Sequence, residues 1–256
     1  MFKRAVSELV GTDLIVLAPD ESLGAAVGLM REKRVSCVLA VDGDKVTGIM
    51  TERDVVKALP NGFDPAAPVR SLMSRPVSGI MQNLTVEDAC RMLTDGEIRH
   101  LAVLDVHGAL RGVITNSNVV DALAVEFMCE NTLCSEVMHP AVVSVSPETP
   151  LGRAAELMIE RRIGSVVAAI GDKPQGVVSE RDLAHRAVGF PGLLDRPVSE
   201  LMGSPAVVVP PDGMVYKVIL YMKQKMVRRV VIVDRDGRIL GIMSQSDLVK
   251  AYPRFL

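Results

Sequence analysis

Four times along the chain, a glycine is followed by two apolar residues, Thr or Ser, two variable residues, and Asp or Asn. The copies are Gly48-Ile-Met-Thr51-Glu-Arg-Asp54, Gly112-Val-Ile-Thr115-Asn-Ser-Asn118, Gly176-Val-Val-Ser179-Glu-Arg-Asp182 and Gly241-Ile-Met-Ser244-Gln-Ser-Asp247. Their glycines stand 64, 64 and 65 residues apart. A short lead-in keeps the same phase: Val6–Val10, Val69–Met73, Cys134–Met138 and Val198–Met202, with last residues 63, 65 and 64 apart. Two landmarks in phase across 256 residues divide the chain into four units. Each is too small to hide its own sheet and helix faces, so neighbouring units must pack together.

Repeat three shows the layout of a unit. Ala141–Val145 reads as a short strand, and Ser146–Leu151 turns into a helix whose apolar face (Leu151, Ala154, Ala155, Leu157, Met158, Ile159) ends near Arg162. Ser165–Ile170 is a β-branched run expected as a buried strand. Gly171-Asp-Lys-Pro turns it back, and Gly176-Val-Val is a third strand. Ser179 then caps a second helix to about Val188. The order is strand–helix–strand–strand–helix, an α/β unit of α+β repeats. Repeats one and three lead into the middle strand with Arg34-Val-Ser-Cys37 and Arg162-Ile-Gly-Ser165. Repeats two and four use Ile98-Arg-His-Leu101 and Val227-Arg-Arg-Val230. The alternation, with short connections, suggests two pairs in chain order, 1–128 and 129–256, built from units 1–66, 67–128, 129–193 and 194–256.

The repeated Thr/Ser-x-x-Asp has two readings. One is a capping box, with an acid in the first helical turn, although Asp reaches less far than the Glu or Gln that usually closes the box. The other is chemical. A carboxylate can accept both hydroxyls of a ribose, the first-turn N–H groups suit a phosphate, and the small Gly-apolar-apolar approach leaves a slot for a flat ring. Positive charge for phosphates would come from Arg99, His100, Arg228 and Arg229 at the start of the middle strands, where alternation turns one of each pair toward the cleft. Lys33, Arg34, Arg161 and Arg162 read as ordinary charges at helix C-termini.

Composition narrows the classes further. With 48% apolar residues and a net charge of −2, disorder is excluded and an interface dominated by nucleic-acid phosphates is not expected. Aromatic residues are 3% of the chain, with no Trp, so few rings could stack on bases. Mean hydropathy is +0.28, yet charge-free runs reach only about eleven residues, too short for a membrane-spanning helix. Glu8 interrupts the N-terminus before an apolar signal segment develops, so a cytoplasmic location is expected. Cys37, Cys90, Cys129 and Cys134 read as buried thiols. Cys129, Cys134 and His139 match no standard zinc spacing, and no metal site is expected. No nucleophile–base–orienter set is visible, so no catalytic residues are assigned.

With Gly-h-h-Thr/Ser-x-x-Asp (h, apolar), Ile98-Arg-His-Leu-Ala-Val, Val227-Arg-Arg-Val-Val-Ile-Val-Asp and the Met-x-x-Pro-like entries, the whole chain resembles four tandem cystathionine-β-synthase (CBS) domains, arranged as two Bateman modules. The resemblance implies a regulatory, signal-transducing, non-enzymatic protein. It would bind AMP, ADP, ATP or S-adenosylmethionine in clefts between paired units, with no obligatory cofactor. By position, Asp54, Asp182 and Asp247 would hold ribose, with Thr51, Ser179 and Ser244 beside ribose or phosphate. Arg99, His100, Arg228 and Arg229 would meet phosphate, and Ser36 could reach the nucleotide. Base-side walls would come from Pro76-Val77, Pro140-Ala141 and Pro205-Ala206. Asn118, in the corner of Thr115, replaces the acid and weakens the second cleft. Gly164 stands where Ser36 does in repeat one, and His139 is expected to face solvent. A protein effector and a homodimer are the partners implied. A structural adaptor with degenerate clefts, acting through protein contacts alone, is the alternative.

Overall fold

The structure is a computed structural model that describes residues 4–10, 14–43, 45–129 and 131–252, without the side chains of 124–129. Repeat one contains β1 (Val16–Leu17), α1 (Leu23–Lys33), β2 (Cys37–Asp42), β3 (Lys45–Thr51) and α2 (Glu52–Ala58). Repeat two follows with β4 (Gly79–Met81), α3 (Val86–Asp95), β5 (His100–Leu104), β6 (Leu110–Thr115) and α4 (Asn116–Cys129). Repeat three opens with the single turn α5 (Cys134–Val137), then β7 (Ser144–Val145), α6 (Leu151–Glu160), β8 (Ser165–Ile170), β9 (Lys173–Ser179) and α7 (Glu180–Arg186). Repeat four has β10 (Val208–Val209), α8 (Val215–Lys225), β11 (Arg229–Val233), β12 (Ile239–Ser244) and α9 (Gln245–Ala251). The expected β-α-β-β-α order holds in all four.

Every repeat makes a three-stranded sheet in sequence order. The first strand lies parallel to the second, because a helix carries the chain back between them. The second and third form an antiparallel hairpin whose register slips by one residue, at Ala40/Val41, Val103/Leu104, Ala168/Ala169 and Ile232/Val233. The middle strands are continuous apolar runs buried on both faces, as Val38–Ala40 and Val166–Ala168 show. In repeat three the first strand is shorter than the expected Ala141–Val145, and α6 stops at Glu160 rather than Arg162. There Arg161 caps the helix and Arg162 takes a left-handed φ of 52°. α7 likewise ends at Arg186, two residues short of Val188.

The chain folds as two compact units. One joins repeats one and three (Asp13–Val77 with Val143–Ala206), the other repeats two and four with the N-terminal segment. The first has a core that includes Met30, Met50, Leu151, Met158 and Leu183. The second has its own core, including Leu101, Ile114, Met222 and Met243. Like repeats therefore gather with like, a grouping different from the chain-order pairs 1–128 and 129–256.

The lead-ins account for where the boundaries of these units fall, though not for which repeats join, since the exchange runs between repeats one and two and between three and four. Each is folded onto a neighbour rather than onto the repeat it precedes. The repeat-two lead-in donates from Val69 N to Glu21 O at 2.8 Å and from Arg70 N to Pro19 O at 2.9 Å. The repeat-four lead-in donates from Val198 N to Thr149 O at 2.8 Å. The repeat-three lead-in donates from Cys134 N to Gly213 O at 2.8 Å, and that of repeat one from Val6 N to Leu84 O at 2.8 Å. The Met that ends a lead-in packs on the repeated glycine of its host. A Cβ on Gly176 would come within 2.6 Å of Met202 Sδ, one on Gly241 within 2.8 Å of Met138 Sδ, and one on Gly48 would collide with Met73. The space expected there as a slot for a flat ring is thus filled by methionine, and packing is what demands glycine.

Candidate functional site

The candidate residues meet at four corners where the third strand runs into the second helix. In repeat one Asp54 Oδ2 accepts from Thr51 N at 2.9 Å and Thr51 Oγ1 at 2.7 Å, while Thr51 Oγ1 accepts from Asp54 N at 3.4 Å. Repeat three has the same carboxylate bonds from Ser179 N and Oγ at 2.8 and 2.5 Å. In repeat four they come from Ser244 N and Oγ at 2.8 and 2.6 Å. In repeat two Asn118 Oδ1 takes the acceptor role, at 2.9 and 2.7 Å from Thr115 N and Oγ1. Aspartate therefore does close a capping box, contrary to the expectation from its length: extended backbone at the cap (φ −118 to −125°) brings the N–H to the shorter side chain.

The leading N–H of each second helix, expected to be open to phosphate, is engaged. Glu52 N donates to Ser36 O at 3.1 Å, Glu180 N to Gly164 O at 3.1 Å, Asn116 N to Arg99 O at 3.3 Å and Gln245 N to Arg228 O at 3.1 Å. Those bonds put Ser36, Arg99 and Arg228 at their corners by backbone. Across the hairpins, His100 pairs with Thr115 and Arg229 with Ser244, so the basic residues at the strand starts flank the boxes of repeats two and four.

Segments that follow the lead-ins form the second wall. Ser74 bridges Ile49, and its Oγ donates to Asp54 Oδ1 at 3.4 Å, which brings the strand approach to Val77 to the repeat-one corner. Gly203 bridges Val177, and Ala206 N donates to Gln175 O at 3.1 Å beside the repeat-three corner. His139 bridges Ile242 ahead of Ala141 in repeat four, its side chain exposed as expected. The repeat-two counterpart falls on residues 11–13, outside the described residues.

The repeat-three corner also opens into a cavity of about 520 Å³ lined by Arg31, Arg181, Asp182, His185, Arg186 and Leu201. Arg31 and His185 were not among the expected site residues, nor was Arg186. For Arg186 a signal is present in the sequence. The position four after the motif acid is Ala58, Ala122, Arg186 and Ala251 in the four repeats, so the basic residue is unique to repeat three.

The two middle residues of the motif prove as organised as the ends. Arg181 Nε donates to Glu52 Oε1 at 2.7 Å and Arg53 Nε to Glu180 Oε1 at 2.8 Å, with both carboxylates 5% exposed. His185 Nε2 stands 3.5 Å from the same Glu52 oxygen. In the other unit, Asn116 Nδ2 donates to Ser246 Oγ at 2.8 Å and Ser117 Oγ to Gln245 Oε1 at 2.7 Å. Among the described residues no group of three or more His, Cys, Asp or Glu is placed to hold a metal, and no helix is long and apolar enough to cross a membrane. The side chain of Cys129 lies outside the described residues.

Comparison with known proteins agrees with the repeat. The family model for the CBS domain matches residues 6–61, 69–125, 134–189 and 198–254. Protein MJ1404 of Methanocaldococcus jannaschii is 24% identical over 267 aligned residues, covering 98% of this chain and 62% of that protein, so the chain spans about three fifths of this relative's length. The CBS domain-containing protein YhcV of Bacillus subtilis is 23% identical over 56% of this chain and 95% of its own. Among solved structures, protein MJ1225 of Methanocaldococcus jannaschii superposes with a TM-score of 0.88 at 17% identity, over 97% of this chain and all of that one. Four family matches, four β-α-β-β-α sheets and four Thr/Ser-x-x-Asp/Asn corners coincide, and the chain belongs to the CBS domain family.

Proposed function

We propose that this chain is a regulatory protein that binds an adenosine ligand (AMP, ADP, ATP or S-adenosylmethionine) at its repeat corners and carries out no catalysis itself. The observation that carries the reading is at repeat three. Asp182 lines a cavity of about 520 Å³, within the usual size of small-molecule sites, and its capping bonds fall on Oδ2. The second oxygen is not taken by the box and can accept from a ribose. Asp54 and Asp247 hold the same position in repeats one and four, and Asn118 its weaker amide version. Arg99, His100, Arg228 and Arg229 would meet phosphate in the even repeats. Binding that favours one conformation of the repeats would be read by a protein partner.

One observation favours a second reading, an adaptor that works through protein contacts alone: at all four corners the acid or amide of the motif already serves as a helix cap. Asp182→Asn separates the two, because Asn118 shows that an amide oxygen supports the box. Isothermal titration with AMP, ATP and S-adenosylmethionine should show the tightest ligand weakened about ten- to a hundredfold by the loss of a charged acceptor. An adaptor would show no ligand-dependent rise in thermal unfolding temperature with any of them.

A further inference from the structure

At the repeat-three corner the leading N–H of α7 is already used, since Glu180 N donates to Gly164 O at 3.1 Å. The side chains there are unusually basic. On α7, Arg181 and His185 are one helical neighbour pair and Asp182 and Arg186 another, so all four share a face. Arg31 joins them from the last turn of α1, and Leu201 closes the apolar side. The lining therefore holds three guanidiniums and an imidazole against a single carboxylate.

These basic side chains are not equivalent. Arg181 is committed to Glu52 at 2.7 Å, so its charge is largely cancelled. His185 Nε2 is buried without a hydrogen-bond partner, 3.5 Å from that same carboxylate. The excess charge rests on Arg31 and Arg186, both exposed at the mouth. The Arg186 guanidinium lies 5.4 Å from the centre of the Phe190 ring, a contact that restrains it without neutralising it. At the corresponding corner of repeat one, Ile159, Lys57 and Ala58 stand where Arg31, His185 and Arg186 do, and repeats two and four carry Ala122 and Ala251 in place of Arg186.

We propose that this cavity is a polyphosphate subsite, so that the ligand of repeat three is a nucleoside di- or triphosphate rather than a monophosphate or S-adenosylmethionine. The assignment of a nucleoside rests on the function proposed above; the anion subsite does not. Arginine suits the terminal phosphates because its planar fork donates two parallel bonds to phosphate oxygens. A sulfonium carries the wrong charge for this lining.

The test uses the full chain, divalent-free, with inorganic tripolyphosphate, ATP and AMP as titrants. Tripolyphosphate alone should bind, and ATP should bind at least about tenfold more tightly than AMP. Arg186→Ala, which installs the residue found in the other three repeats, should weaken tripolyphosphate and ATP about ten- to a hundredfold and bring the ATP preference toward one. Arg31→Ala should act in the same direction. The subsite is overturned if Arg186→Ala leaves tripolyphosphate and ATP binding unchanged, or if AMP binds as tightly as ATP. Arginine-dependent tripolyphosphate binding without any nucleotide binding would keep the subsite and remove the nucleotide reading. Asp182-dependent AMP binding with no gain from further phosphates would do the reverse.

Discussion

At the hairpin between β5 and β6, Asp105 is 3% exposed, yet its carboxylate is fully occupied. Oδ1 accepts from His107 N and Ala109 N at 2.8 and 2.9 Å, and Oδ2 receives the Arg111 guanidinium at 2.7 Å. The backbone bond from Ala109, then those from His107 and Arg111, hold its carboxyl below the usual range, although burial works against them. In the unfolded chain an Asp titrates near 3.9. The folded value is lower, so this acid's stabilisation is complete above the ordinary carboxylate range and is lost as pH falls through the folded value. Urea midpoints measured from pH 6 to pH 2 should therefore fall more steeply for the wild type than for Asp105→Asn, which starts lower at neutral pH and has less to lose. Parallel curves would show that Asp105 contributes nothing to the acid limb. The motif acids are bonded differently. Their capping bonds gather on one oxygen, and the part of the site legible in the sequence was this acid with its cap. The ring slot and the open N–H groups were not, because a docked methionine and the neighbouring strand's carbonyl occupy those places, and neither lies within the motif.

Among the elements, the pairing of second helices follows a rule written in the motif's two middle positions. α2 and α7 present Glu-Arg to Glu-Arg and exchange charged bonds reciprocally. α4 and α9 present Asn-Ser to Gln-Ser and exchange neutral ones. A mixed pair would leave a nearly buried carboxylate without its guanidinium, a costly arrangement. The alternation between odd and even repeats was legible in the sequence, but its meaning was not. Chain order and short connections favour neighbours, whereas buried charge has to match charge. Arg53→Ala should destabilise the protein by about 2–3 kcal/mol in urea unfolding, below the full value for a buried pair because Arg53 keeps 28% exposure. Replacing all four residues by the neutral set of the other helix pair (Glu52→Asn, Arg53→Ser, Glu180→Gln, Arg181→Ser) should cost less than that single truncation. If the fourfold variant is the less stable of the two, charge matching is not what selects the partner.

Over the whole molecule, the order of elements could be read directly from the sequence because the repeat supplies four copies of each signal. β8 forms over Ser165–Ile170 as its β-branched run implies. The exchange of lead-ins could not be read, since the period is the same whichever neighbour receives them, and Ala141–Val143 fall outside the strand, which begins at Ser144 after His139 has bridged Ile242. The protein has two cores that draw on separate sets of buried residues, and the thiols report on them separately. Cys37, with repeats one and three, is pushed up to about 12 by burial and then by Glu52. Cys90 and Cys134, in the other unit, are pushed up to about 12 and about 11, again by burial first. At pH 8 each is almost wholly protonated and shielded, so alkylation needs local opening. Arg53→Ala lowers the opening free energy of its own unit by the same 2–3 kcal/mol, which corresponds to about thirtyfold or more in the open population. Iodoacetamide labelling of Cys37, followed by peptide mass spectrometry, should accelerate by that factor, while Cys90 and Cys134 stay within about twofold of the wild type. Equal acceleration at all three thiols would mean that the two cores open as one, and that the boundary between them carries no energetic meaning.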